Sequence, residues 1–399
     1  MRTVLTTLGI SLFVLAGCAG QKQPESNFIQ ENIDNAVAQE TIQTDIIEQS
    51  GKILNPRTID KDGNIVYVSI DDWCSGFFPG NMWYTYKLTG DPKWLPLAEK
   101  YTEALDSVQY LTWHHDVGFM VGCSYLNGYR FAGKEAYKPV IIQTAKSLST
   151  RFRPAAGVIQ SWDADKGWQA QRGWKCPVII DNMMNLELLF EASLLSGDST
   201  YYHIAVKHAD TTLANHFRDD NSCYHVVDYD PETGEVRMKQ TAQGYAHESA
   251  WARGQAWALY GYTMCYRYTH DAKYLAQAEK VYGFIFSNKN LPEDLVPYWD
   301  YDAPNIPNEP RDASSAACTA SALYELSTYL PEKGYKEVAD RIMESLATPA
   351  YRAEVGTNGN FILMHSVGSI PHNAEIDVPL NYADYYFLEG LTRKRELEK

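Results

Sequence analysis

Two aspartates stand where a proton donor would be useful. Asp181 ends the apolar run Val178-Ile-Ile180 and opens Asn182-Met-Met-Asn-Leu-Glu-Leu-Leu-Phe-Glu-Ala192, which reads as a buried helix; Asp116 sits in His114-His-Asp-Val-Gly118. A carboxyl close to a second carboxylate holds its proton more tightly, as a general acid at neutral pH requires. Further along come His225, Gln243, Arg253 and Trp257. An arginine fork pairs with a carboxylate, His and Gln donate to hydroxyls or carboxylates, and Trp73, Trp162, Trp251 and Trp257 offer faces for pyranose stacking. The set suits acid–base chemistry on a sugar.

Each residue also has a plainer reading. Asp181 suits a helix N-cap, where free N–H groups and the positive end of the dipole favour it. Asp116 fits a cap for a helix at Gly118, Arg253 a partner for Glu248, the tryptophans a core, and His114 and His115 an ordinary loop. The sugar site is favoured because the residues fall together on one predicted rim.

That rim follows from an internal repeat. Gly90-Asp-Pro-Lys-Trp94, Gly197-Asp-Ser-Thr-Tyr201 and His270-Asp-Ala-Lys-Tyr274 are copies of one helix stop, turn and aromatic helix start, with weaker copies at Gly133-Lys-Glu-Ala-Tyr137 and Pro331-Glu-Lys-Gly-Tyr335. Between the turns, each charge-striped helix is followed by a polar motif and then a nearly all-apolar helix. The motifs are Trp73-Cys-Ser-Gly76, His114-His-Asp-Val-Gly118, Ile180-Asp-Asn-Met183, Trp251-Ala-Arg-Gly-Gln-Ala-Trp257, Arg311-Asp-Ala-Ser-Ser315 and Asp377-Val-Pro-Leu-Asn381. A helix apolar all round is an inner one. About six inner helices inside six outer ones predict an all-α toroid, with helices expected from Phe28 to Ser50 and from Asn81 to Leu88. Inner-helix N-termini converging on one mouth would help hold a carboxylated ligand.

The 399 residues, 45% hydrophobic and 13% aromatic, suffice for one large core over 28–399. A formal charge of −15 argues against binding nucleic acid or an anionic membrane through a general field. Met1 to Gly20 carries Arg2, an apolar stretch from Val4 to Ala16, and Leu15-Ala-Gly-Cys18. This reads as a lipoprotein signal peptide over 1–17, a lipidated Cys18 and a polar tether over 18–27. The expected place is a bacterial cell envelope, on the periplasmic side for want of an acidic run after Cys18, with outer-membrane surface display the other option. The lipid would be the sole contact with a membrane. The other six cysteines are scattered without a C-x-x-C pair and are expected as buried thiols; Cys223-Tyr-His225 is too sparse for a metal site.

The motifs also carry a family likeness. Asp71-Asp-Trp-Cys-Ser-Gly-Phe-Phe-Pro-Gly80, His115-Asp-Val-Gly-Phe119, Ile180-Asp-Asn-Met-Met184, Gln243-Gly-Tyr245, Trp251-Ala-Arg-Gly-Gln-Ala-Trp257 and Asp377-Val-Pro-Leu-Asn-Tyr-Ala-Asp-Tyr-Tyr386 resemble the bacterial unsaturated glucuronyl hydrolases, in order, from about Trp73 to Gly390. The resemblance implies an (α/α)6 barrel that removes the 4,5-unsaturated uronic acid left by polysaccharide lyases on oligosaccharides, without metal or organic cofactor. It makes Asp181 the general acid/base, with Asp116 tuning it. It assigns His225, Gln243, Arg253 and Trp257 to the unsaturated ring, and Trp73 and Trp162 to stacking around it. Ser366 and Ser369 fall in the loop beside the second sugar. There, relatives favouring sulfated substrates carry two serines and then a lysine; Pro371 replaces the lysine, which puts sulfate preference in doubt. Cys74 stands where a small hydroxyl residue is expected.

Two rival readings fit the same residues. A hydrolase of unsaturated galacturonyl-rhamnose from pectin would share the barrel and the aspartate, and a substrate panel separates it. A lipid-anchored glycan-binding protein would have no need of Asp181 and Asp116 at inner-helix starts. Oligomeric state is open.

Overall fold

The computed structural model describes residues 25–399, so the expected signal peptide and Cys18 lie outside the described residues. Helix α1 (Glu25–Gln49) starts three residues before the expected helix and takes in the end of the expected tether. Gly51, in the left-handed region (φ 66°), follows it. Strands β1 (Asn55–Ile59) and β2 (Ile65–Val68) pair antiparallel before α2 (Phe77–Thr89). Helix α2 begins four residues earlier than predicted, because Pro79 in a first turn lacks only an N–H that would be unpaired anyway.

The recurring turn is real. Gly90, Gly133, Gly197 and Gly334 and the non-glycine His270 all have positive φ, 53° to 73°, where one helix stops and the next begins. Asp198 and Asp271 then cap the next helix through the N–H groups of Thr200 and Lys273. The turns join α2 to α3 (Trp94–Glu103) and the bent pair α4 (Val117–Val121) and α5 (Asn127–Ala132) to α6 (Lys138–Ser149). They also join α7 (Asn182–Ser196) to α8 (Ser199–Asn215), α9 (Ala252–Thr269) to α10 (Ala272–Ser287), and α11 (Ala313–Tyr329) to α12 (Tyr335–Leu346). Helix α13 (Asn381–Leu397) completes the inner set.

Helices α2, α4–α5, α7, α9, α11 and α13 pack side by side in a closed ring, and α3, α6, α8, α10 and α12 cover it, with α1 against α2 and α13. This is the (α/α)6 barrel. A π-helical stretch, Gly122–Leu126, bends the α4–α5 helix. Gly76 permits the close approach of α2 to α4, since a Cβ there would lie 2.2 Å from the Met120 carbonyl oxygen. At the C-terminal ends of the inner helices, Arg130, Arg267 and Arg393 interlock with Glu187, Glu191, Glu325 and Glu389. That network joins α5, α7, α9, α11 and α13 across the interior of the ring.

The inner helices start at the other end, and there small strands absent from the sequence prediction build the rim. Strands β3 (Phe152–Arg153) and β4 (Val158–Ile159) form a hairpin. A three-stranded antiparallel sheet orders β5 (Cys176–Ile179), β6 (Val226–Tyr229) and β7 (Val236–Gln240). Strands β8 (Ser366–Ser369) and β9 (Ala374–Val378) form a last hairpin. Helical periodicity carries no signal for such short pieces. Cys74, Cys123, Cys176, Cys223, Cys265 and Cys318 are free and buried.

Candidate active site

Strand β5 runs through the interior and delivers Asp181 to the start of α7. Asp181 has helical φ and ψ (−54°, −26°) and makes no capping bond, and Asp116 before α4 makes none either. Asp312, by contrast, caps α11 through Ser314 N–H. Capping therefore does not explain the two aspartates. Both face a cavity of about 300 Å3 whose wall includes Trp73, Asp116, Trp162, Asp181, Gln243, Arg253 and Ser369. Residues from six separate stretches of chain thus meet at one mouth.

The two carboxyls have opposite proton affinities. Burial pushes Asp181 up to about 7; Arg253 opposes the shift and the Asp116 carboxylate adds to it. The nearby negative charge, foremost in the sequence argument, is secondary to desolvation. Asp116 is also buried, which would raise it, but His115, His114 and Asn185 together hold it below the usual carboxylate range. One carboxyl thus keeps its proton near neutral pH while its neighbour is ionised.

Arg253 is buried and held on three sides. One terminal nitrogen donates to Asp312 Oδ2 at 3.0 Å and to the Val367 carbonyl, and the other donates to the Gly368 carbonyl at 2.8 Å. Its plane lies 4.6 Å from the Trp251 ring centre. Its partner is therefore Asp312, whereas Glu248 pairs with Arg218. A guanidinium has five N–H donors, so donors remain for a carboxylate in the cavity. Gln243 donates to the Gly368 carbonyl at 3.2 Å, tying the same hairpin to the wall.

Three expected ring-binding or loop residues lie behind the wall. His225, buried, directs Nε2 at Asp181 Oδ2, 3.6 Å away. Trp257 is buried; its indole N–H has no hydrogen-bond partner among the described residues and is near enough to Asp181 to favour the ionised form slightly. Ser366 is fully buried and its hydroxyl has no partner among the described residues. Ser369 reaches the wall, with its hydroxyl 2.7 Å from His372 Nδ1. Trp162 stacks on Trp174 with centroids 5.8 Å apart and meets Trp168 edge-on.

His114 and His115 are not ordinary loop residues. Both are buried, His114 pairs with Trp162 in an isolated bridge, and both rings lie against Asp116, at 3.5 and 3.3 Å. The sequence reading also missed Arg57, Trp168, His372, Glu375 and Tyr382 on the wall. Tyr382 was within reach, being in the motif around Asn381. Arg57 bridges Asp72 and Glu375, joining β1 to β9, and no helical repeat points to such a contact.

A family model described as Glycosyl Hydrolase Family 88 matches residues 48–392. The chain is 49% identical over 344 residues to an unsaturated glucuronyl hydrolase of Formosa agariphila, covering 86% of this chain and 85% of that protein. A solved unsaturated glucuronyl hydrolase specific for heparin superposes with a TM-score of 0.89 at 44% identity, over 94% of this chain and 98% of the other. A Streptococcus agalactiae unsaturated glucuronyl hydrolase variant, solved in complex with dGlcA-GalNAc6S, superposes with a TM-score of 0.75 at 29% identity, over 92% and 90% of the two chains. With the barrel, the mouth and these likenesses in agreement, the chain belongs to Glycosyl Hydrolase Family 88.

Proposed function

We propose that the protein hydrolyses the 4,5-unsaturated glucuronyl residue from the non-reducing end of lyase-generated, glycosaminoglycan-type oligosaccharides, with Asp181 as general acid and base. The observation that carries the assignment is the pairing in one cavity of a carboxyl raised to about 7 with an ionised carboxylate, Asp116. Asp181 gives its proton to C4 of the enol ether, and positive charge develops at C5 and the ring oxygen. The Asp181 carboxylate then takes a proton from the water whose oxygen bonds to C5. The resulting hemiketal opens to a C5 ketone, and the hemiacetal left at C1 expels the remaining sugar as an alcohol. The anomeric carbon is never attacked directly, so the carboxylate-spacing rule for ordinary glycosidases does not apply.

Arg253 and the inner-helix N-termini suit the uronate carboxylate, and Trp73 and Trp162 suit the ring faces. A glycosaminoglycan source is supported by relatives named for chondroitin disaccharides and heparin. Loss of the ultraviolet absorbance of the substrate's conjugated double bond, measured on heparin, chondroitin and pectin lyase products, tests the reading. Consumption of the pectin product alone would move the assignment to the galacturonyl class. We also propose that Cys18 carries a lipid anchor holding the enzyme in the periplasm; the Cys18→Ala protein recovered in the soluble fraction would support this, and unchanged membrane association would oppose it.

A further inference from the structure

We propose that Asn185 and His115 are positioning residues for Asp116, linked so that the single N–H of a neutral imidazole is held on the ring nitrogen that lies against that carboxylate. The inference rests on the acid–base reading above and adds two residues that do not touch the substrate cavity.

The link has a fixed direction. Phe119 N–H donates to Asn185 Oδ1 at 2.8 Å, which settles the orientation of the amide. Asn185 Nδ2 then lies 3.3 Å from His115 Nδ1 and must donate to it. That nitrogen is an acceptor, so the single proton of the neutral ring sits on Nε2, 3.3 Å from Asp116 Oδ1; no aligned hydrogen bond closes that gap, Asn182 also faces the ring, and the N–H acts on the carboxylate as a dipole. The ring has no latitude to turn. His115 is fully buried and its backbone N–H is fixed to the Ser161 carbonyl at 3.1 Å. Gly118 allows Asn185 its place, since a Cβ there would lie 2.4 Å from Asn185 Oδ1.

Position along α7 adds the second half. Asn185 follows Asp181 by four residues, so both lie on one face of the helix. The element that presents the acid therefore also sets the protonation state of the acid's neighbour. The charged and titratable groups facing Asp116 are His114 and His115 from its own loop and Asp181 from α7. Arg151 acts on His115 from behind, and Arg253 acts on Asp181 from α9. His114 does not substitute for His115, because its Nδ1 accepts the Asp116 backbone N–H at 3.1 Å. Burial holds His115 below the ordinary imidazole value, in keeping with a neutral donor.

The test is the pH profile of kcat on an unsaturated glucuronyl disaccharide released by a glycosaminoglycan lyase. In Asn185→Leu and in His115→Leu the acid limb moves up by about one pH unit, because Asp116 takes its proton more readily. KM changes by less than about twofold. His115→Gln, whose amide N–H stands in for Nε2–H, keeps the wild-type limb. Asn185 also acts on Asp116 directly, so the double variant shifts further than His115→Leu alone but by less than the sum of the two single shifts. A uniformly lower kcat with an unmoved acid limb in both leucine variants, or additive shifts, would overturn the proposal. Nitrogen NMR of the imidazoles in the wild-type protein needs no variant: His115 protonated on Nε2 supports the link, and protonated on Nδ1 defeats it. Absence of turnover by the wild-type protein, or full turnover by Asp181→Asn, would instead defeat the acid assignment, and the NMR result would stand apart from it.

Discussion

His225 Nε2 lies 3.6 Å from Asp181 Oδ2, while its Nδ1 accepts the backbone N–H groups of Ala242 and Gln243 at 3.0 and 3.2 Å. Those two donors leave Nε2 to carry the proton, so a neutral N–H faces the acid. Burial, with Arg253 adding to it, holds the ring well below its ordinary value and keeps it from becoming a cation. The dipole favours the carboxylate that Asp181 would become, in the proposed mechanism, once its proton has gone to C4. His225→Leu should lower kcat and move the basic limb of its pH profile to higher pH; a limb shifted to lower pH would contradict this role.

Asp116 acts on the same proton with the opposite sign. Asp181 is raised to about 7, and a general acid must be protonated to work, so under the proposed mechanism activity should be present below that value and be lost as pH rises through it. In Asp116→Asn one of the causes of the raised value is gone. Activity should fall, because the neutral amide mimics protonated Asp116, and the basic limb of what remains should move toward lower pH, measured as kcat/KM across a buffer series, with an unmoved limb as the contrary result.

Arg253 separates binding from folding. Removing the guanidinium would leave Asp312 buried without its partner, so Arg253→Ala should cost several kcal/mol, roughly 3–5 by analogy with broken buried pairs, and should be read by Tm as well as by activity. Arg253→Lys keeps the charge beside Asp312 and loses the fork that reaches both β8 carbonyls and the cavity. It should raise KM at least about tenfold with a smaller change in Tm. Equal KM values for the lysine variant and the wild type would remove the arginine from substrate binding.

A buried pair far from the chemistry gives the stability profile its slope. Burial raises Glu40 on α1 to about 8 and Asp384 on α13 to about 7. Folding therefore takes up protons: this stability is complete below the unfolded carboxyl values and is lost as pH rises toward 8. Glu40 Oε1 has no partner among the described residues, whereas Oε2 accepts from Thr85. Glu40→Gln should raise Tm by several degrees at pH 9 relative to wild type, with a smaller gain at pH 5. An equal change at both pH values would show that Glu40 does not titrate across this range.

The sequence made the barrel legible because its turns repeat the same stereochemistry, as Gly90 and Gly197 show at positive φ. Asp181 and Asp116 were legible because inner-helix starts gather at one rim. The roles proposed for His115 and Asn185 were not, since a hydrogen-bond chain that fixes a tautomer leaves no periodic trace. Arg57 and Glu375 were hidden for a related reason: they meet across β1 and β9, from opposite ends of the chain, and Glu375 sits at φ 55°, which no local pattern announces. His225 and Trp257 were found by residue type, but type alone does not distinguish the cavity wall from the layer behind it.

The most direct test of the acid assignment is to run the hydrolysis of an unsaturated glucuronyl disaccharide in heavy water and read the product by NMR. The wild-type protein should abolish the conjugated absorbance and place deuterium on C4, and Asp181→Asn should do neither at a measurable rate. Turnover by Asp181→Asn near the wild-type rate, or product without deuterium at C4, would show that Asp181 does not deliver the proton to the double bond.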